Sequence, residues 1–222
     1  MCKDLFEKLM EIIFPRKCAF CNILIKEDYT CKKCKKKLEY ICINCNIQKS
    51  NSEYFDFLIC PFFYDGIIKS KILEFKFKNK KYLYKPLSQE LINILMYYKN
   101  LIDIIIPVPI SLARYFERGY NQSKLVADYV SKKINKPLAL WVLIKTKNNY
   151  MQSKLNMQTR SNNVKNVYKV LNTEKIKGKN ILLIDDIYTT GATVTECSKI
   201  LKQNGAQKII VATIAKTKIK WI

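Results

Sequence analysis

The chain has 222 residues, 49% of them hydrophobic, and no apolar run approaching the roughly 20 residues that a bilayer-spanning helix needs. Its 40 Lys plus Arg against 18 Asp plus Glu give a formal charge of +22, which attracts polyanions, although a uniformly Lys-rich composition produces the same excess. Histidine is absent, which excludes a His general base, a Ser-His-Asp triad and any zinc site with imidazole ligands.

In chain order, residues 2–14 carry Leu5, Phe6, Leu9, Ile12, Ile13 and Phe14 at helical spacing up to Pro15, the pattern of a short docking helix. Acidic residues lie among the apolar ones and no small-residue cleavage site follows, so the segment does not read as a signal peptide. A soluble, cytoplasmic protein without a membrane span is expected.

Three Cys-x-x-Cys pairs follow, Cys18 with Cys21, Cys31 with Cys34, and Cys42 with Cys45. This spacing lets two thiolates on one knuckle reach a metal at about 2.3 Å, and two knuckles make a tetrahedral zinc site. A disulfide framework fits a cytoplasmic chain poorly, and no βαβ pattern surrounds the pairs to suggest a redox motif. Cys18, Cys21, Cys31 and Cys34 are the expected ligands. Cys42 and Cys45 are then a leftover pair; the alternatives are that they replace either knuckle or, with Cys60 or Cys2, build a second site. Lys32, Lys33, Lys35, Lys36 and Lys37 form a basic cluster beside them, suited to nucleic-acid phosphates or to plain solvation.

The polar stretch 46–52 reads as a linker, dividing a zinc-ribbon module at 1–52 from a larger domain at 53–222. Residues 55–63 are aromatic-rich and strand-like, 67–77 have helical spacing, and Pro86 opens a helix to about Tyr98. These elements read as a lead-in to the sheet rather than as part of a site.

Residues 102–106 are apolar with little alternation, as a strand buried on both faces would be, and run into Pro107-Val108-Pro109-Ile110-Ser111. Two prolines stiffen that loop at the carboxyl edge of the expected sheet, where open α/β sheets bind ligands. Arg114 and Arg118 follow in a chain that otherwise favours Lys, which marks positions where a planar two-pronged donor matters. Asn121 is placed to cap a helix from Gln122 to about Lys133. Residues 145–167 are polar and poorly periodic, as a loop closing over a substrate would be.

The most informative stretch is 180–193. Ile181 to Ile184 read as a buried strand, followed by Asp185 and Asp186, the turn Thr189-Thr190-Gly191-Ala192-Thr193, and a helical pattern from Val194 to about Gln203. Gly191 allows close backbone approach, and the threonine hydroxyls and first-turn N–H groups suit a phosphate. The aspartates are acceptors suited to sugar hydroxyls or magnesium. Residues 209–214 form a last buried strand after Gly205, and the chain ends in a short basic tail.

The strand, acidic pair and TTGAT turn resemble the signature of type I phosphoribosyltransferases, which bind phosphoribosyl pyrophosphate (PRPP). The order of cysteine pairs, Pro107-Val108-Pro109 with Arg114, Arg118, Gly119, Tyr120, Asn121 and Gln122, and the Leu182–Thr193 loop is similar to the ComF family of competence-associated phosphoribosyltransferase-like proteins. So is the stretch holding Lys145, Lys147, Gln152, Leu155, Arg160, Asn163 and Val164. Many ComF proteins have a fourth cysteine pair; here only Cys60 stands near its place.

The resemblance implies an α/β fold, a mainly parallel sheet flanked by helices behind a small zinc ribbon. It further implies transfer at the anomeric carbon of magnesium-bound PRPP to an unknown acceptor. Asp185 and Asp186 would orient the ribose, Thr189, Thr190, Gly191, Ala192 and Thr193 would hold the 5′-phosphate, and Ser111, Arg114, Lys145 and Arg160 would face the pyrophosphate. A part in natural transformation with other competence proteins follows. The competing expectation is a non-catalytic factor that holds single-stranded DNA by charge and stacking, with the PRPP pocket a sensor or relic.

Overall fold

The computed structural model describes residues 15–42, 47–146 and 167–218. The expected 2–14 helix, Cys2, Cys45, the 147–166 residues of the expected loop with Arg160, and the end of the basic tail lie outside them. Among the described residues no helix is long and apolar enough to cross a membrane.

The fold is built on a six-stranded, mostly parallel sheet. Strand β1 (Ile47–Lys49) pairs antiparallel with β2 (Phe57–Ile59) at one edge. From β2 the sheet continues in parallel through β8 (Lys208–Lys216) and β7 (Asn180–Tyr188) to β4 (Ile104–Pro107), and β3 (Phe62–Phe63) also pairs with β8. The stretch read as one strand at 55–63 is therefore two. Pro61 has no N–H to donate, so the ladder breaks at Cys60-Pro61, yet Phe57 faces Ile210 and Phe62 faces Ala215 in one register.

Alternation along β7 and β8 explains the two apolar layers. Leu182, Ile184, Ile210, Ala212 and Ile214 face a core shared with helices α2 (Gly66–Phe77), α3 (Tyr84–Tyr98) and α5 (Gln122–Ile134). Ile181, Leu183, Ile209 and Val211 face α6 (Ala192–Gln203) and the antiparallel pair β5 (Leu143–Lys145) and β6 (Tyr168–Val170). The strand central to both layers runs on through Asp185 and Asp186 to Tyr188, so the carboxylates sit on the strand rather than in a loop after it.

Local caps fix where helices begin at the sheet's carboxyl edge. Ser111 Oγ accepts from the Arg114 N–H at 3.3 Å to start α4 (Leu112–Arg118), and Gly119 at φ 73° ends it. Asn121 Oδ1 accepts from the Lys124 N–H at 3.2 Å at the start of α5, while its Nδ2 donates to Val108 O at 3.0 Å. One side chain thereby ties the proline-stiffened loop to α5.

The cysteine segment is not set apart. Cys18, Cys31 and Cys34, on a knuckle that includes the short helix α1 (Lys32–Lys35), belong to the same core cluster as α2, α3 and α5. The hydroxyls of Tyr29 and Tyr129 meet at 3.2 Å across this contact.

Candidate functional site

The sulfurs of Cys18, Cys21, Cys31 and Cys34 all lie within 4.8 Å of one another, and those of Cys21 and Cys31 are 3.7 Å apart. A tetrahedron of sulfurs about 2.3 Å from a central zinc has edges of ~3.8 Å, so the donor set and its size fit one ion. The Cys31 N–H donates to Cys18 Sγ and the Cys34 N–H to Cys31 Sγ, both at 3.3 Å. Backbone donors of this kind favour thiolate, and those from Cys31, Phe20 and Cys21 bring Cys18 down to about 6 against the opposing effect of burial. Of the remaining cysteines, Cys42 is exposed, whereas Cys60 is buried and donates to Phe62 O at 3.3 Å. Cys60 is a core thiol, pushed up to about 11 by burial.

At the carboxyl edge, Asp185 Oδ1 accepts from Ser123 Oγ and from the Asp186 N–H, each at 2.9 Å. Asp186 Oδ2 lies 2.9 Å from Lys76 Nζ, at the end of α2. The segment read as a mere lead-in thus supplies a side chain to the acidic pair. Burial and the charge of Asp186 push Asp185 up to about 6, with Lys76 and Ser123 opposing.

This shift has a consequence for stability. The folded value lies above the roughly 3.9 of an unfolded Asp, so the neutral carboxyl's contribution is complete below about pH 4 and is lost as pH rises through 6. Asp185→Asn is therefore expected to unfold at higher temperature than the parent at pH 8, by an amount equivalent to about 1–3 kcal/mol, with the gap closing toward pH 4. Melting curves across that range check it; a pH-independent difference would contradict it.

The turn after β7 leaves Thr189 and Thr190 exposed and places Gly191 at φ 76° as the cap of α6. Thr217 holds the turn from β8, its N–H donating to Tyr188 O at 3.0 Å and its hydroxyl to Thr189 O at 3.2 Å. The first turn of α6 carries no acidic side chain; the Ala192 N–H donates to Thr190 Oγ1 at 3.4 Å, and the helix N-terminus presents the positive end of its dipole at this edge.

Arg114, Arg118 and Lys145 approach the same edge. Burial and the Arg114 charge lower Lys145, and Asp185 acts in the opposite sense; Lys145 Nζ stands 5.5 Å from the Tyr168 ring centre. Burial, and then the Arg114 charge, likewise lower Arg118. Its Nη1 donates to Gln122 Oε1 at 3.1 Å and its guanidinium lies 5.1 Å from the Phe77 ring centre. Arg118 Nε and Gln122 Nε2 are buried donors with no acceptor among the described residues. Ser111 is buried, with its oxygen engaged as the α4 cap and its O–H left to donate.

Sequence reasoning did not single out Lys76, Ser123, Gln122 or Tyr168 as site residues. Burial pushes Tyr168 up, as do the nearby Cys197 and Asp185. For Gln122 and Ser123 a signal existed: both are polar residues directly behind the Asn121 cap.

Residues 121–222 match the family described as phosphoribosyl transferase domain. The chain is 28% identical over 205 residues to competence protein F of Haemophilus influenzae, covering 90% of each. It is 24% identical over 206 residues to the DNA utilization protein YhgH of Escherichia coli K12, again covering 90% of each. Competence protein ComFC of Bacillus subtilis is 29% identical over 143 residues, 64% of this chain and 56% of that one. Among solved structures, a purine phosphoribosyltransferase from Pyrococcus horikoshii matches 59% of this chain and 71% of its own at 20% identity and a TM-score of 0.39.

Proposed function

We propose that this chain, a homologue of competence protein F with a phosphoribosyl transferase domain, binds PRPP at the carboxyl edge of its sheet and serves DNA uptake in natural transformation. The observation that carries the reading is the juxtaposition on β7 and α6. Two aspartates with anchored oxygens stand near the end of β7, and just beyond it the exposed Thr189 and Thr190 and the left-handed Gly191 lead into the N-terminus of α6.

In this reading Asp185 and Asp186 accept from the ribose hydroxyls, and Thr189, Thr190, Gly191, Ala192 and Thr193 surround the 5′-phosphate. Arg114 and Lys145 supply positive charge to the pyrophosphate, with the Ser111 O–H beside them; the expected contribution of Arg160 falls outside the described residues. Arg118 Nε and Gln122 Nε2 support an acceptor-rich ligand, because buried donors are seldom left without a partner. Magnesium arriving with PRPP supplies neutralisation of the diphosphate charge. The reaction class is pentosyl transfer: the bond from the anomeric carbon to pyrophosphate breaks as an acceptor attacks a carbon of oxocarbenium character. The protein's share is positioning and electrostatics.

The division at residue 52 is then one of role. Cys18, Cys21, Cys31 and Cys34 hold a structural zinc, and 53–222 hold the ribosyl site. Calorimetric titration of magnesium-PRPP tests the pocket.

A second reading, a face for single-stranded DNA, is favoured by α4. There Leu112, Tyr115 and Phe116 are exposed, the two aromatics between Arg114 and Arg118, a surface suited to bases stacking beside cations. Oligonucleotide affinity that falls steeply with salt and survives Asp185→Asn would assign DNA to α4 rather than to the acidic pair.

A further inference from the structure

Lys76 lies outside the matched residues 121–222, yet it makes an ion pair with Asp186 whose side chains are only 15% and 11% exposed. Two nearby lysines, Lys71 of α2 and Lys80 beyond its end, have a different partner: their Nζ atoms lie 3.2 and 2.8 Å from Glu74 Oε2. Helix periodicity places Ile68, Ile72 and Phe75 in the core, and the next residue, Lys76, leaves the core at the helix's last turn beside the strand end. The next residue, Phe77, has the Arg118 guanidinium 5.1 Å from its ring centre.

We propose that Lys76 is a positioning residue of the PRPP site: a fixed cation that ties Asp186 Oδ2 and leaves Oδ1 turned to accept a ribose hydroxyl. The assignment rests on the PRPP reading above. Its logic is shared by the neighbouring carboxylate, where Ser123 and the Asp186 N–H anchor Oδ1 of Asp185 and leave Oδ2. Among the described residues each aspartate thus has one oxygen held by a protein donor, and in this proposal the other is the one offered to the ligand, a geometry set before binding.

Lys76 also answers an electrostatic problem. Two adjacent carboxylates in a partly buried place repel one another unless a cation neutralises them. Facing the pair from other elements are Arg118 of α4, Ser123 of α5, Lys145 of β5, Tyr168 of β6 and Cys197 of α6, with Tyr64 near Asp186. Of these, Arg118 and Lys145 bring positive charge, and Lys76 adds it in direct contact. A built-in ammonium supplies at Asp186 what a divalent ion would otherwise have to bring.

The test is calorimetric titration of PRPP, over a magnesium series, into the wild type, Lys76→Met and Lys76→Arg, with melting curves of each. Lys76→Met is expected to weaken PRPP binding roughly 10- to 100-fold, the scale of one charge-assisted hydrogen bond. Excess magnesium should recover part of that loss and Lys76→Arg most of it; the melting midpoint should fall in Lys76→Met, where Asp186 loses its cation, and stay near the wild type in Lys76→Arg, with every variant melting cooperatively. Lys76→Met binding PRPP like the wild type, or a loss that neither magnesium nor arginine relieves, would overturn the assignment. A wild type that binds no PRPP would overturn the PRPP reading itself, and this assignment with it, a result distinct from the first.

Discussion

Gly191→Ala is expected to weaken PRPP binding by about 100-fold or more while leaving a folded protein, as the loss of several phosphate hydrogen bonds requires. Gly191 sits at φ 76°, where a residue with a Cβ is strained by about 1–2 kcal/mol. An added Cβ would lie 2.7 Å from Tyr188 Cζ and 3.0 Å from Cε2, and closer still to the hydroxyl, so the ring must leave its place. Both effects act on the backbone of the proposed phosphate site. The damage stays local because β7 and α6 are held by Leu183, Val194, Cys197 and Leu201 in the core. Calorimetry on Gly191→Ala and on the double variant with Tyr188→Ala checks it, since removing the ring relieves the clash but not the strain. Full affinity in Gly191→Ala would contradict the placement of the phosphate.

The largest effect on stability is expected from the knuckle. Cys34→Ser should abolish stoichiometric zinc binding and lower the melting midpoint by about 10 °C, since the loss of a metal ligand in a packed region amounts to several kcal/mol. Cys34 is 4% exposed, and Cys18 and Cys31 share the core cluster of α2, α3 and α5, so a loosened knuckle uncovers Leu38, Tyr129 and their neighbours. Chelation of the parent protein should reproduce the shift. Cys60→Ser, which changes a core thiol and no ligand, should keep zinc. Unchanged metal content and midpoint in Cys34→Ser would contradict the four-cysteine assignment.

Much of this architecture was legible in residue patterns. The unalternating runs at 181–184 and 209–214 are the two central parallel strands, and the resemblance to ComF proteins read from the cysteine pairs, the Pro107-Val108-Pro109 loop and the TTGAT turn agrees with homologues spanning 90% of the chain. Cys-x-x-Cys spacing and the Asn121 cap are local, and local chemistry fixes them. What escaped was non-local. Asp185 reads as a loop residue, but it pairs with Thr213 in the ladder, and sheet pairing overrides its propensity. Lys76 looks like one more solvated lysine because nothing near it in sequence announces Asp186. Tyr168 and Cys197 look like ordinary core residues until the fold sets them beside charge.

The most direct measurement is calorimetric titration of magnesium-PRPP into the zinc-loaded protein, alongside Asp185→Asn/Asp186→Asn. Saturable binding to the parent, absent in a double variant that retains zinc and a cooperative melt, is the predicted result. A folded, metal-loaded parent that takes up no PRPP would contradict the proposed pocket and leave the basic, aromatic face of α4 as the working site.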